Sequence, residues 1–456
     1  MSTDTSGIAG ALAGTTAQPD EQSRQPCTEQ AAVYRKVNLR LIPFLFICYV
    51  AAYLDRINIG FAQLQMKADL GFSDAVYGLG AGIFFFGYAL FEVPSNLLLE
   101  KIGARKTLLR IMVLWGLTSA GMMFITTPTQ LYIARFLLGL FEAGFFPGII
   151  LYFTYWYPSG MRARIIALFM SGMAVAGIIG GPLSGWIMND MAGVNGWAGW
   201  QWMFLLEGLP AVLLGVLAWF VLQDRPRDAS WLSARDKEVI ESTLQQDRQA
   251  LGPAHHGSLR DAMRDPKIYI LAFAYFTFIA GTYVITFWLP AIVKSFGVSD
   301  PLRIGLLTAI PYIIGAIGMV VLGKSSDRTR ERRWHAAGAA FLGGAALVVS
   351  TLVPGNLTLA LVALSFAAIG ILATMPLFWA MPAAYLSGPA AAGGIALINS
   401  LGLVGGFVSP FVIGWFKTTT GSVDGGLYFV AAMMVLGAIV LLVGIPAKSL
   451  REKRTG

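Results

Sequence analysis

Four charged residues stand where long apolar runs leave no room for charge. They are the neighbours Asp55 and Arg56, then Arg135 and Glu142 seven positions apart. Seven residues is about two helical turns, so Arg135 and Glu142 share one helix face about 10 Å apart. A charge at the centre of a bilayer costs at least about 2.5–3.5 kcal/mol on insertion scales, so it marks a pathway or an ion pair. The plain alternative is that the two acids and two arginines merely cancel one another to allow insertion, yet apolar residues would insert more cheaply. A carboxylate beside an arginine in a changing dielectric swings its proton affinity by several pKa units. Proton uptake then depends on whether the arginine is held by the carboxylate or by another anion. A guanidinium offers a planar fork suited to a carboxylate. These residue types at this spacing suit proton-coupled binding of an anion.

The elements that must position them are membrane spans. The chain has 456 residues, 56% hydrophobic and 13% charged. A soluble domain carries about 25% charged residues, so a soluble enzyme is excluded. Stretches of about 20 apolar residues fall at 39–61, 76–99, 104–126, 129–154, 164–188, 202–222, 267–292, 303–323, 334–353, 357–378, 390–416 and 426–446. No strand-period alternation interrupts them, which excludes an outer-membrane barrel. The expected fold is an all-α polytopic membrane protein of twelve transmembrane helices. Residues 1–35 read as a disordered tail and 448–456 as a second tail. Between them lie two bundles, 36–222 and 267–447, joined by a linker at 223–266.

Basic residues fix the orientation. Twenty-seven of the 33 lysines and arginines fall on the face that carries both termini and the linker, against four on the other: Lys67, Lys294, Arg303 and Lys417. The positive-inside rule makes the rich face cytoplasmic. The net charge of +8 is therefore topological, and nucleic acid is not an expected partner; the lipid bilayer is. In the linker, Trp231, Leu232, Val239, Ile240 and Leu244 are spaced for one helix face, and Ser233–Asp236 resembles a capping box. This predicts a surface helix lying at the headgroups.

Cys27 and Cys48 form no framework, and His255, His256 and His335 have no ligand partners at metal spacing. No metal or cofactor is expected beyond protons. No phosphate-loop motif is present, so nucleotide drive is unsupported.

The second half repeats the first at an offset of about 227. Glu100-Lys101-Ile-Gly103-Ala-Arg105-Lys106 follows the second span, and Asp327-Arg328-Thr-Arg330-Glu-Arg332-Arg333 follows the eighth. Gly177 to Gly181 in span five and Gly402 to Gly406 in span eleven occupy matching positions. They are expected to pack helices closely between the halves. Six spans plus six is the organisation of transporters built from two parallel halves.

The repeated acidic-basic loop resembles the signature of the major facilitator superfamily. A narrower resemblance is to its anion:cation symporter family. It is carried by Tyr53-Leu-Asp55-Arg56-Ile-Asn58, Phe91-Glu92-Val-Pro94-Ser-Asn96, the run from Arg135 through Glu142 to Gly148, Trp156-Tyr-Pro158 and Arg162-Ala-Arg164. The run from Ser387 to Asn399 is similar to the tartrate/phthalate-type branch. Arg330 and Asn96 stand where the loop motifs usually have glycine. The resemblance implies two pseudo-symmetric six-helix halves. It places Arg56 on a substrate carboxylate, with Asp55 and Glu142 as proton carriers and Arg135 paired to them. It further implies a monomer in the bacterial inner membrane, with Glu100, Lys101, Arg105, Asp327 and Arg328 closing the cytoplasmic side. Glu142→Gln is the variant expected to keep substrate binding, since Glu142 lies far along its helix from Arg135 and need not orient Arg56.

Spans seven to twelve carry no interior charge. Thr282 is the repeat equivalent of Asp55, and Tyr275, Phe278, Tyr283, Phe287 and Trp288 surround it in sequence. Trp379 and Asn399 complete a neutral, aromatic wall, with Phe278 and Trp288 read as packing. Asn399 is an amide in an apolar span and needs a partner; the family has a polar substrate contact there. Tyr53 and Tyr88 supply hydroxyl donors from the first half. Glu92 and Glu207 read as helix-end residues that cap or pair with loop arginines. The leading expectation is proton-coupled import of a small organic anion, not an enzyme activity. Its rivals are proton-coupled drug efflux and a non-transporting membrane receptor.

Overall fold

The computed structural model describes residues 21–250, 264–385 and 389–446. The extreme tails, His255, His256 and part of the run from Ser387 lie outside them. Among the described residues there is no strand, and twelve helical stretches are long and apolar enough to cross a membrane. The first half comprises α1 (Glu21–Leu70), α2 (Asp74–Ile102), α3 (Ala104–Gly121), α4 (Pro128–Glu142), α5 (Phe145–Trp156), α6 (Ser159–Met170), α7 (Gly172–Asp190) and α8 (Gly199–Val221). The linker holds α9 (Ala234–Ala250). The second half comprises α10 (Pro266–Ser295), α11 (Pro301–Thr329), α12 (Arg333–Thr351), α13 (Leu357–Tyr385), α14 (Pro389–Thr420) and α15 (Asp424–Gly444).

Two spans are broken. α4 and α5 form one span interrupted at Ala143 and Gly144, where Gly144 has φ +86°. Pro147 has no N–H to carry the helix ladder through this point. A Cβ on Gly144 would lie 2.5 Å from the Ser95 hydroxyl. Glu142 is thus the last helical residue before a break. The other is interrupted more gently at Ser171, which joins α6 to α7 with φ −63° and ψ −16°, still in the right-handed helical region.

The repeat is written in the backbone. Gly103, between α2 and α3, has φ +90°, and Arg330, its equivalent between α11 and α12, has φ +51°. The left-handed conformation costs an L side chain about 1–2 kcal/mol, which explains the glycine usual at this turn.

The expected tail boundary at 35 differs from the structure. α1 is already helical from Glu21, and its Glu29, Gln30 and Lys36 dock on the linker helix. Lys36 donates to Asp236 at 2.9 Å, Arg235 pairs with Glu29 at 2.8 Å, and Gln30 donates to Thr243. Ser233 and Asp236 form the expected capping box, each backbone N–H donating to the other's side chain at 3.1 Å. The apolar face of α9, however, turns to the first half rather than to headgroups. Ile240 and Leu232 are buried, Trp231 stacks on Trp156 at 5.8 Å, and Asp247 accepts from the Ser159 backbone at 3.0 Å. The first half offers that face a fitted apolar surface at Trp156 and fixed partners at Ser159 and Lys36.

The halves touch most closely at the end away from the linker. A Cβ at Gly78 would lie 2.4 Å from the Pro410 carbonyl, and one at Gly181 2.6 Å from the Gly305 carbonyl. Only hydrogen at these positions lets α2 meet α14 and α7 meet α11. Gly177 and Gly406 serve the interface as expected, against Tyr312 and Phe85; Gly402 and Gly405 instead seat α14 on Tyr275 and Phe276 of its own half. Gln63 and Tyr77 both donate to the Phe287 carbonyl, at 2.7 and 3.0 Å. Towards the linker end, Leu90, Val93 and Leu97 of α2 are exposed. There, among the described residues, one side-chain pair is hydrogen-bonded between the halves: Asn399 with Glu92. The molecule is sealed at the far end and open towards the linker.

Candidate functional site

Between the halves, part-way along the helices, lies a cavity of about 750 Å³ that includes its open mouth. α1 brings Tyr53 and Arg56 to it, α2 brings Phe85 and Tyr88, and α10 brings Tyr275, Thr282 and Tyr283. Trp379 of α13 and Asn399 of α14 close the second half's wall. All seven residues expected to bind substrate line this one space.

Arg56 is its cationic centre. The guanidinium carbon lies 5.1 Å from the Tyr53 ring centroid, 5.5 Å from Phe84 and 5.4 Å from Tyr88. Its Nε donates to Glu142 Oε1 at 2.7 Å, and Nη2 touches the same oxygen. Glu142 is wholly buried, and its Oε2 has no hydrogen-bond partner.

The other expected pairings are not made. Asp55 and Arg56 are successive on α1, about 100° apart around the axis, so they point into different spaces. Asp55 turns to α3, where it accepts from Trp115 Nε1 at 2.5 Å and Ser119 Oγ at 2.7 Å, with Asn58 Nδ2 at 3.3 Å. Arg135 pairs with neither carboxylate. It donates to the carbonyls of Gly80 and Ala81 at 3.3 and 3.4 Å, stands over Phe84 at 5.1 Å, and leaves Nη1 unpartnered. Two turns is too far for a direct Arg135–Glu142 bond, and Arg56 reaches Glu142 across the helix gap. One Phe84 ring therefore carries two guanidinium groups.

In the second half, Tyr283 packs on Phe85 at 4.5 Å and Tyr275 on Trp379 at 4.9 Å. Thr282 turns its hydroxyl to the Phe278 carbonyl at 3.1 Å. Phe278 and Trp288 are buried packing residues outside the cavity lining. Asn399 accepts from the Tyr275 hydroxyl at 3.5 Å and donates to both Glu92 oxygens, at 2.9 and 3.2 Å.

Glu92 was read as a helix-end residue, and the structure corrects that. It is the partner that the half-buried amide of Asn399 required, one turn beyond Tyr88 on the same face. That i, i+4 relation was the available signal. Glu207 is not at a helix end either: it is buried within α8, accepts from Ser184 at 2.7 Å and meets no arginine.

Among the described residues, none of the five expected gate residues contacts the opposite half. Arg105 stacks on Trp219 at 4.5 Å, and its backbone N–H donates to Asp224 at 2.9 Å. Asp327 pairs with Arg332 at 2.5 Å. Glu100, Lys101 and Arg328 are exposed.

Twelve apolar helices in two repeated halves around a charged central cavity define a multi-pass membrane transporter. The chain belongs to the Major Facilitator Superfamily, whose family model matches residues 45–410. A protein of Agrobacterium vitis named "Putative tartrate transporter" is 49% identical over 91% of this chain and 95% of its own length. The "Quinolone resistance transporter" of Acinetobacter baumannii is 42% identical over 92% of this chain and 96% of its own. The first of these names agrees with the narrower resemblance to the anion:cation symporters and their tartrate-type branch, and both relatives are named as transporters rather than enzymes. A crystal structure of a bacterial homologue of the human lysosomal transporter Spinster, inward-facing and occupied, shares the fold. Its TM-score is 0.73 at 16% identity, covering 90% of this chain and 98% of that one.

Proposed function

We propose that this protein imports a small organic carboxylate with protons across the bacterial inner membrane, as a monomer, by alternating access. The carrying observation is the Arg56–Glu142 pair: the cavity's one guanidinium is held by a buried carboxylate with a spare oxygen. Protonating Glu142 weakens its hold on Arg56 and frees the fork for a substrate carboxylate. Deprotonation returns Arg56 to Glu142 and expels the substrate. Asp55 is the second proton carrier, screened from Arg56 by its own donors on α3. Arg135 adds positive field through Phe84. Tyr53, Tyr88, Thr282, Tyr283, Trp379 and Asn399 shape the site for the rest of the molecule.

The basic asymmetry makes the linker end cytoplasmic, with both termini on that side. The conformation is then the one that has released substrate inward, with Arg56 back on Glu142. Glu100, Lys101, Arg105, Asp327 and Arg328 close that end when the halves rock to the outward-open state.

A second reading is proton-coupled drug export. It is favoured by the Acinetobacter relative's name and by Glu92, an acid near the cavity with no arginine beside it. Proteoliposome uptake of tartrate with and without an imposed pH gradient tests the first reading against the second. Gradient-driven accumulation of the anion supports import; gradient-driven expulsion of a cationic drug, with no anion uptake, supports export.

A further inference from the structure

At the sealed far end, basic side chains gather on the seam between the halves. Four basic residues were assigned to that face, and three of them, Lys67, Lys294 and Lys417, converge on one cavity of about 420 Å³ at the seam between the halves. They come from α1, α10 and α14. One carboxylate serves them: Asp74 of α2 contacts Lys67 and lies 3.3 Å from Lys417. Lys294 Nζ donates to the Leu64 carbonyl across the seam at 2.6 Å, and Lys417 Nζ stands 5.6 Å from the Trp288 ring centroid. Nearby acids are engaged elsewhere: Asp69 accepts from Trp200, and Asp300 caps α11.

Lys67 and Asp74 belong to the first half; Lys294 and Lys417 belong to the second. Parting the halves at this end breaks the Asp74–Lys417 pair and the Lys294–Leu64 bond together. Asp74 keeps Lys67, and the second half is left with two ammonium groups and no acid paired to either, at the mouth of the path to Arg56. A ligand shifts a two-state equilibrium only by its differential affinity for the two states. An anion on these lysines binds the open state better, because in the closed one Asp74 already holds Lys417 and the Leu64 carbonyl already holds Lys294.

We propose that Lys294 and Lys417 form a loading site for a carboxylate anion at the far-end mouth, where the anion takes the place of Asp74 and draws the mouth open. This rests on the reading of the chain as an organic-anion carrier. Two lysines at the rim also raise the local concentration of anions by electrostatic steering.

The test is the distance distribution between spin labels at Ala68→Cys and Thr420→Cys, in a Cys27→Ser, Cys48→Ala background at low ionic strength. Tartrate is the probe, with chloride at matched ionic strength as control. Tartrate is expected to enlarge the far-end-open population several-fold in the parent and in Arg56→Ala, where the central site is gone. That response should be lost in Lys294→Gln/Lys417→Gln and kept in Lys294→Arg/Lys417→Arg. Asp74→Asn should open the mouth while keeping the tartrate response, which separates anion binding from a merely loosened latch. An undiminished response in the glutamine pair, an equal response to chloride, or no response in the parent overturns the proposal. Failure of the central reading shows differently: calorimetric tartrate binding would then be the same in the parent and in Arg56→Ala.

Discussion

Arg56 and Glu142, 86 residues apart in sequence, meet through a single carboxylate oxygen, Nε to Oε1 at 2.7 Å. The second oxygen is buried without a partner. A buried acceptor left unmade carries a desolvation penalty of about 1–3 kcal/mol or more, so this oxygen is a ready place for a proton.

Removing Arg56 strands Glu142 as an unpaired buried charge, a change that costs about 3–5 kcal/mol. Arg56→Ala should abolish tartrate binding at the central cavity and lower the thermal midpoint of the purified protein. Adding Glu142→Gln should restore the midpoint and leave the central cavity without binding. Arg56→Lys should bind only weakly, because an ammonium cannot reproduce the fork. Equal binding of a substrate acid and its amide would sink the anion reading.

Proton coupling separates the two acids. If both carry a proton per cycle, a monoanion enters with one net positive charge, gaining about 2.3 kcal/mol per 100 mV. At about 1.4 kcal/mol per tenfold, that supports roughly 40–50-fold accumulation. A dianion with two protons moves no net charge. Asp55→Asn and Glu142→Gln should each abolish gradient-driven uptake in proteoliposomes. Glu142→Gln should still bind and exchange substrate, although the reason differs from the one the sequence suggested: Glu142 does hold Arg56, and the neutral amide releases it. Wild-type gradient-driven uptake in Glu142→Gln would leave Asp55 as the sole carrier.

The two ends of the molecule should respond oppositely to substitution. A leucine at Gly181 meets the Gly305 carbonyl and Thr308 hydroxyl, both 2.6 Å from its Cβ position, so Gly181→Leu should enlarge the far-end-open population. Glu100→Ala should instead favour opening at the linker end. Spin-label distances across each end would show this, and unchanged distributions would count against both assignments.

The docked linker helix has its own pH dependence. A hydrogen bond from Lys36 holds the Asp236 carboxyl below the ordinary aspartate value. A lowered folded-state pKa stabilises docking above the free value of about 3.9 and loses that contribution as pH falls through the folded one. Hydrogen exchange in α9, taken relative to the intrinsic amide rate at each pH, should therefore be flat from pH 8 to about 5 and rise below about 4. Ser233→Ala removes the cap, at about 1 kcal/mol, and should raise exchange at every pH. Asp236→Asn should flatten the acid rise.

The spans, the internal repeat, the basic asymmetry and the four charges inside the spans are all legible in residue order. Hydropathy, charge count and spacing are local properties that need no partner. The wall of the cavity was legible too, because the 227-residue offset carries Asp55 onto Thr282 and names the neighbourhood of α10. Pairing was not legible. Adjacency in sequence suggested Asp55 with Arg56, and a shared face suggested Arg135 with Glu142. Yet successive helical residues diverge by about 100°, and two turns is too far to bridge. Whether Arg56 meets Glu142, Asn399 meets Glu92, or three lysines meet over Asp74 depends on how α1, α2, α4, α10 and α14 lie against one another. That arrangement is set by close approach at glycines such as Gly78 and Gly181, whose partners lie in the other half of the chain. Helical period locates a charge on its own helix; only the packing of one helix on another decides which charge it faces.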